Sequence, residues 1–315
     1  MRRGTAVSWL TMVLAGGFVG ACSATPTADE ATAPPTAVTK TQASSRTALP
    51  SPTSSPTMES AAPSQSAAPV PSAESQDPAS PAAADPAALP GWRIDFFDDF
   101  EQPITDSQWE RYGWGDPPVG QGAMGIRSQD ETFTRDGNLV VRTRYTDGQW
   151  RSGGVSSKQL FSASRGRWEV RARFPQAKGI GYAFLLWPVD EGWPPEIDFA
   201  EGHANGPQVM GVYHWDPDNK QEHRFFDNPS MDQWHTYGVI VEDKRIIFTF
   251  DGEEWGRIDH PQVTDKPMFV GFQAGAMDPH NAAPYTEVVD GGVPGPLTPA
   301  TAEIEIDYVA HYVPD

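Results

Sequence analysis

The sequence has a single cysteine in 315 residues. That excludes an intrachain disulfide framework, a zinc cluster built on cysteines and a CxxC redox pair. Positive charge is also scarce, with 23 Lys+Arg against 42 Asp+Glu and a net charge of −19. A chain of that sign lacks the basic surface that a phosphate backbone requires, so nucleic acid is not an expected partner. Long hydrophobic runs are missing: the mostly apolar stretch from Ala6 to Val19 is too short and too interrupted for a stable membrane span. No HExxH, P-loop or dinucleotide fingerprint appears, which removes those zinc, nucleotide and NAD chemistries. No repeat period is visible, so a solenoid is excluded.

What is present divides the chain into three segments. Residues 1–21 read as an export signal, with Arg2 and Arg3 ahead of the apolar stretch. It ends Val19-Gly20-Ala21-Cys22, which resembles the bacterial lipobox, with the only cysteine at the one position that needs it. The expected mature protein begins at Cys22, carries a lipid there, and sits on the outer face of the cell membrane or in the cell wall. Residues 22–90 are almost entirely Ala, Ser, Thr and Pro, holding 13 of the 31 prolines and no Phe, Trp or Tyr. Such a segment buries too little apolar surface to offset the entropy of ordering, so a disordered linker is expected. In extended polyproline form its reach is at most on the order of 200 Å. Residues 91–315 hold all seven histidines and 32 of the 34 aromatics. The charge divides as +2 before the linker, −4 in it and −17 after it, so the acidity belongs to this last segment, which is large enough for one substantial core.

Strand signals dominate residues 91–315. Arg167 to Phe174 alternates charged and apolar residues, the period-2 pattern of a half-buried strand, with Trp168 on the apolar side. Glu303 to Tyr308 does the same. Arg245 to Phe250 is β-branched and aromatic and ends at Asp251-Gly252, a hairpin turn pair; Leu139 to Arg144 follows another at Asp136-Gly137. With no long stretch of 3.6-residue periodicity, the fold class expected is all-β, a sandwich of two antiparallel sheets, and the length suits a large jelly roll.

One short segment carries chemistry. Trp193-Pro194-Pro195-Glu196-Ile197-Asp198-Phe199-Ala200-Glu201 places three carboxylates within six residues. With Ile197 and Phe199 facing a core, Glu196 and Asp198 share the opposite face. Glu201, five residues after Glu196, points away on a regular strand, and one extra residue in a β-bulge returns it to their face. Retaining glycoside hydrolysis uses such a set: a nucleophilic carboxylate, a carboxylic acid about 5–5.5 Å away as proton donor, and a neighbouring acid whose charge raises a pKa. A solvated strand face or a calcium site accounts for the same three residues.

At these residues the sequence resembles glycoside hydrolase family 16, the laminarinase and lichenase group, whose bulged motif reads E-[IL]-D-x-x-E. Phe96 to Phe100, Asp136 to Leu139, Ser156-Ser157-Lys158, Gly166 to Arg171, Trp234 to Tyr237 and Ile306 to Val309 extend the likeness over 91–315. The resemblance implies a concanavalin-like jelly roll with the acids on its concave sheet. It implies Glu196 as nucleophile, Asp198 as assisting acid and Glu201 as general acid/base, in an endo-acting hydrolase of β-1,3- or mixed β-1,3/1,4-glucan. It implies substrate contacts from Trp193 and His214, and a structural calcium at Asp307 with the carbonyl of Gly137; catalysis itself needs no cofactor. Trp187, Trp114 and Trp215 are further sugar-stacking candidates. The family's A-F-W-L is here Ala183-Phe184-Leu185-Leu186-Trp187, which shifts the tryptophan two residues along the same face. A transglycosylase uses the same residues with a sugar hydroxyl in place of water, whereas a non-catalytic glycan-binding jelly roll predicts the loss of at least one acid. The expected partners are a polysaccharide and, through Cys22, a membrane; a monomer is expected.

Overall fold

The computed structural model describes residues 89–113, 115, 123–204, 206–227, 230–279 and 292–315. The expected signal peptide, Cys22, nearly all of the linker and Trp114 lie outside the described residues. Two sheets account for nearly all of the regular structure. One has ten strands, in the order β16 (Glu253–Asp259), β15 (Arg245–Phe250), β14 (His235–Glu242), β9 (Gly166–Arg173), β18 (Thr301–Pro314), β6 (Asn138–Thr146), β7 (Gln149–Ser152) and β4 (Ile126–Arg127). In it β1 (Trp92–Asp98) also pairs with β18, and β5 (Thr132–Arg135) with β6. The other has eight, in the order β13 (Lys220–Asp227), β12 (Gln208–Trp215), β11 (Glu196–His203), β10 (Ile180–Pro188), β17 (Met268–Met277), β8 (Gly154–Ser156) and β2 (Glu110–Arg111), with β3 (Ala123–Met124) on β17. Only β4 and β7 pair in parallel among the described strands. The sole helical segment among the described residues is one 3-10 turn at Gln129–Glu131. The expected all-β jelly-roll sandwich is the observed fold.

Local sequence explains the hairpins. Asp136-Gly137, Asp147-Gly148 and Asp251-Gly252 each close a two-residue loop with positive φ at both residues. Asp tolerates that conformation and Gly adopts it freely, and the resulting turn has the twist that adjoining strands need.

The core lies between the sheets. Trp168, Val170 and Ala172 of β9 face it, as do Leu139 and Val141, Ile304 and Ile306, and Tyr237 and Val239. From the eight-stranded sheet come Phe184 and Leu186, Ile197 and Phe199, Tyr213, Val270 and Phe272. Phe184 meets Phe272 and Tyr237 edge-on, with centroids 4.9 and 6.2 Å away. At Gly211 a Cβ would stand 2.9 Å from the ring of Phe248, so the absence of a side chain lets the two sheets approach there.

On the other face of the ten-stranded sheet, charged residues pair across strands: Arg173 with Glu305, Arg135 with Glu303 and Arg171 with Asp307. Asp307 is the extra residue in a bulge of β18 between Ile306 and Tyr308. The regular alternation expected over 303–308 therefore breaks at that residue.

Candidate active site

The residues that leave the core on β10, β11, β12 and β17 build the site. Glu196, Ile197 and Asp198 pair with His214, Tyr213 and Val212, but Glu201 then pairs with Met210. Three residues of β11 thus oppose two of β12, so one residue is extra. The same irregularity appears toward β10, where Phe184 pairs with Ala200 and Leu185 with Asp198. Both Phe199 and Ala200 enter the core at the bulge, and Glu201 returns to the face of Glu196 and Asp198. This face also carries Ala183 and Leu185 of β10, Gly271 and Gln273 of β17, Met210, Val212 and His214 of β12, and Gln221, His223 and Phe225 of β13.

The acids are covered by their neighbours rather than left in solvent: Glu196 is 5% exposed, Asp198 3% and Glu201 8%. Burial raises the Glu196 carboxyl well above its usual range, and the nearby charges of Asp198 and Glu201 add to this. His214 and a hydrogen bond from the Trp193 indole N–H, 2.8 Å from Oε2, oppose it. Burial also pushes Asp198 up, to about 8. His214 Nε2 stands 3.4 Å from Asp198 Oδ2, and its Nδ1 is 2.7 Å from Asn219 Oδ1. The arrangement keeps protons among the acids at neutral pH, as general acid catalysis requires.

Trp193 owes its place to a pinned connection. Between β10 and β11, Asp190 accepts from the amide of Gly192 at 3.0 Å and pairs with Lys266 Nζ at 3.1 Å. Lys266 also donates to the Gly192 carbonyl at 3.2 Å, and Lys158 pairs with Glu191. Two lysines from separate segments thus hold both sides of the turn that delivers Trp193 to Glu196.

The structure brings together Glu196, Asp198, Glu201, Trp193 and His214 out of the sequence-derived set. Trp187 lies on the same face of β10, opposite Phe269, and its indole N–H meets no acceptor among the described residues. Trp215 does not join them. It follows His214 on β12 and so points to the other face, where it stacks on Tyr213 at 5.6 Å and meets His260 at 4.3 Å. That corrects its expected role: alternation along the strand makes it part of the packing. Asp307 Oδ2 accepts from Arg171 Nη1 at 2.5 Å, so the guanidinium already supplies the counter-charge expected from calcium. At Gly137 the nearest side-chain group is the carboxylate of Glu101. Asp307 thus already has an ion-pair partner in Arg171.

One ligand atom from each of Glu196, Asp198 and His214 lies within 4.8 Å of the others, a spacing that a single cation can bridge. Trp193 and Asn219 already hold two of these three groups by hydrogen bonds, and the raised carboxyls favour bound protons, so the set reads as proton-sharing acids.

Sequence reasoning missed Asn219, which has no motif and reaches His214 only because the turn between β12 and β13 folds back. It also missed Phe225, 60% exposed, which lies in one cross-strand row with Met210 and Glu201. Alternation along β13 was the available signal, since Gln221, His223 and Phe225 share one face.

Comparison with known proteins bears on this geometry. The model for glycosyl hydrolases family 16 matches residues 121–280, which is 160 of the 315 residues. Endo-1,3-1,4-beta-glycanase EglC of Rhizobium meliloti (strain 1021) is 31% identical over 169 residues, 51% of this chain and 33% of that protein. A glucan endo-1,3-beta-glucosidase of Cryptopygus antarcticus is 28% identical over 175 residues, 47% of this chain and 62% of that protein. The matched stretch is thus about a third of the length of the first of these relatives. Among solved structures, the catalytic domain of an endo-1,3-beta-glucanase (laminarinase) from Thermotoga petrophila RKU-1 has a TM-score of 0.59 at 20% identity, covering 71% of this chain and 98% of that one. The laminarinase from Flavobacterium sp. UMI-01 has a TM-score of 0.58 at 18% identity, covering 70% and 100%. These two likenesses concern the fold, whereas the family match spans β10, the acid-bearing β11 and β12 within one stretch: this chain belongs to glycosyl hydrolases family 16.

Proposed function

We propose that this chain is a retaining endo-β-glucanase that cleaves β-1,3- or mixed β-1,3/1,4-glucan by double displacement. One observation carries the reading: the bulge in β11 that sets Glu196, Asp198 and Glu201 on one face of the eight-stranded sheet. In the first step Glu201 protonates the glycosidic oxygen while Glu196 attacks the anomeric carbon, giving a glycosyl ester on Glu196 and a departing sugar alcohol. In the second step Glu201 takes a proton from water, which attacks the same carbon and releases Glu196. The two inversions return the original β configuration. Trp193 offers an aromatic face to the sugar at the reacting centre while its N–H steadies Glu196, and Trp187 extends that face. The choice of a neutral glucan follows from charge: a surface of net charge −17 over residues 91–315 repels a sulfated polymer at long range.

The test is activity of wild type and Glu196→Gln on laminarin, lichenan, agarose and carrageenan, with the anomer of the first product read by NMR. The expected result is cleavage of laminarin or lichenan with the β-anomer first, and loss of cleavage in the variant. Cleavage of none, an α-anomer first, or an equally active variant overturns the reading.

We infer further that the chain is exported and held by a lipid at Cys22, with residues 22–90 as a tether that lets the catalytic domain reach into the cell wall. Cys22→Ala is expected to move the protein from the membrane to the soluble fraction, and an unchanged distribution rejects the anchor.

A further inference from the structure

A nucleophile must be an anion, yet Glu196 is buried beside two other acids, and burial favours its protonated form. The question is where a shared proton rests. His214 stands at the centre of the answer. The groups that face it are Asp198 and Glu196 on β11, Gln221 and His223 on β13, Trp193 from the preceding connection, and Asn219 from the turn between β12 and β13.

Asn219 and its neighbour Asp218 both have left-handed backbones, with φ of 51° and 66°, a conformation that Asn and Asp accept more readily than most residues. The turn directs the Asn219 side chain back to His214, where Oδ1 lies 2.7 Å from Nδ1. A carbonyl oxygen only accepts, so Nδ1 carries the hydrogen. Neutral His214 then presents a bare Nε2 toward Asp198 Oδ2, 3.4 Å away. Two bare acceptors repel each other, and one proton between them turns the contact into attraction.

We propose that Asn219 is a positioning residue: by fixing the Nδ1–H tautomer of His214 it keeps one proton on the Asp198–His214 pair and leaves Glu196 as the anion. The inference rests on the reading of Glu196 as nucleophile. The Trp193 N–H on Glu196 Oε2 acts in the same sense, since a donor there favours the carboxylate. Asp198, lying between the nucleophile and the histidine in this chain, holds the proton without taking the nucleophile's role. The opposite amide orientation would donate to Nδ1 and place the hydrogen on Nε2, so the tautomer of His214 distinguishes the two.

The experiment uses full-length protein labelled with 15N at histidine, with the His214 signals identified by their loss in His214→Gln. Wild type at neutral pH is expected to show Nδ1 protonated and Nε2 bare or hydrogen-bonded as an acceptor. Asn219→Gly keeps the left-handed backbone but removes the amide. It is expected to lose that single tautomer and to lower kcat about tenfold, the effect of about 1.4 kcal/mol on the barrier, with KM nearly unchanged. Asn219→Asp keeps the acceptor and is expected to keep the tautomer, which separates this role from a merely structural one. An Nε2–H tautomer in wild type, or an unchanged tautomer and kcat in Asn219→Gly, overturns the proposal. A wild type with the expected tautomer and no glucanase activity leaves the proton placement standing and removes the nucleophile reading instead.

Discussion

Burial raises the carboxyls of Glu196 and Asp198 on β11 before any substrate is present. Asp198 is buried, and its carboxyl titrates at about 8 instead of its ordinary 3.8. Between those values the unfolded chain has already lost the proton that the folded chain still holds. Stability from this group is therefore complete below about pH 4 and declines as pH rises through about 8. Asp198 and Glu196 interact closely, so the slope belongs to the pair. Asp198→Asn is expected to flatten it, giving a melting temperature that exceeds wild type increasingly from pH 4 to pH 9. Thermal melts across that range check this, and parallel curves for the two proteins reject it. Glu201→Gln removes the proposed proton donor and is expected to lower kcat by about 10²- to 10⁴-fold on natural glucans. The loss should be smaller on a substrate whose leaving group needs no proton. The three carboxylates within six residues stood out in the sequence, but the spacing also suited a solvated strand face or a calcium site, and the family resemblance gave them their expected roles. The proton among them was not legible, since it depends on burial and on Asn219, which arrives from a different turn.

At the scale of elements, the irregular pieces position the chemistry and the regular strands hold them. The bulge in β11 could be anticipated from spacing, because only an extra residue reconciles Glu201 with Glu196. The clamp on the connection before β11 could not, since Lys158 and Lys266 lie 33 and 74 residues from their respective partners Glu191 and Gly192. Lys266 and Asp190 are both partly exposed, so their pairing contributes at most about 1 kcal/mol to stability. Lys266→Ala should therefore fold almost normally. It is nevertheless expected to lower kcat/KM roughly tenfold, because a looser connection weakens the hydrogen bond from Trp193 to Glu196, and bonds to charged groups are worth about 1.5–3 kcal/mol. Chemical denaturation and steady-state kinetics on the same preparation separate the two effects. Activity equal to wild type shows that Trp193 is held without the clamp. Trp215 makes the complementary point: it neighbours His214 in sequence, and one step along a strand turned it to the other face.

For the whole molecule, composition predicts a division of labour. Residues 23–88 contain no Phe, Trp or Tyr, whereas residues 91–315 bring the aromatics that fill the space between the sheets. A protein beginning at Leu89 is expected to keep the melting temperature and kcat/KM of the full chain; calorimetry and laminarin assays check this, and a lower melting temperature shows that the leading segment supports the fold. The ion pair between Arg171 and Asp307 belongs to this scale too, because it ties β9 to the bulge of the last strand where calcium was expected. Addition of a chelator is expected to leave the melting temperature unchanged.

Local sequence was enough for the fold class and for singling out the three clustered carboxylates. Alternation, Asp-Gly turns and the lack of helical periodicity leave few options other than an antiparallel sandwich, and these signals are local, lying within a few residues of one another. Tertiary structure alone decided which side chains meet the acids. Register across β10, β11, β12 and β13 selects His214 over Trp215 and places Phe225 in the row of Glu201. A fold-back turn brings Asn219 to His214, and Arg171 reaches Asp307 from a strand more than a hundred residues earlier. Such pairings depend on strand register and loop paths, which are settled by burying the whole core at once and leave no signature in any short stretch of sequence.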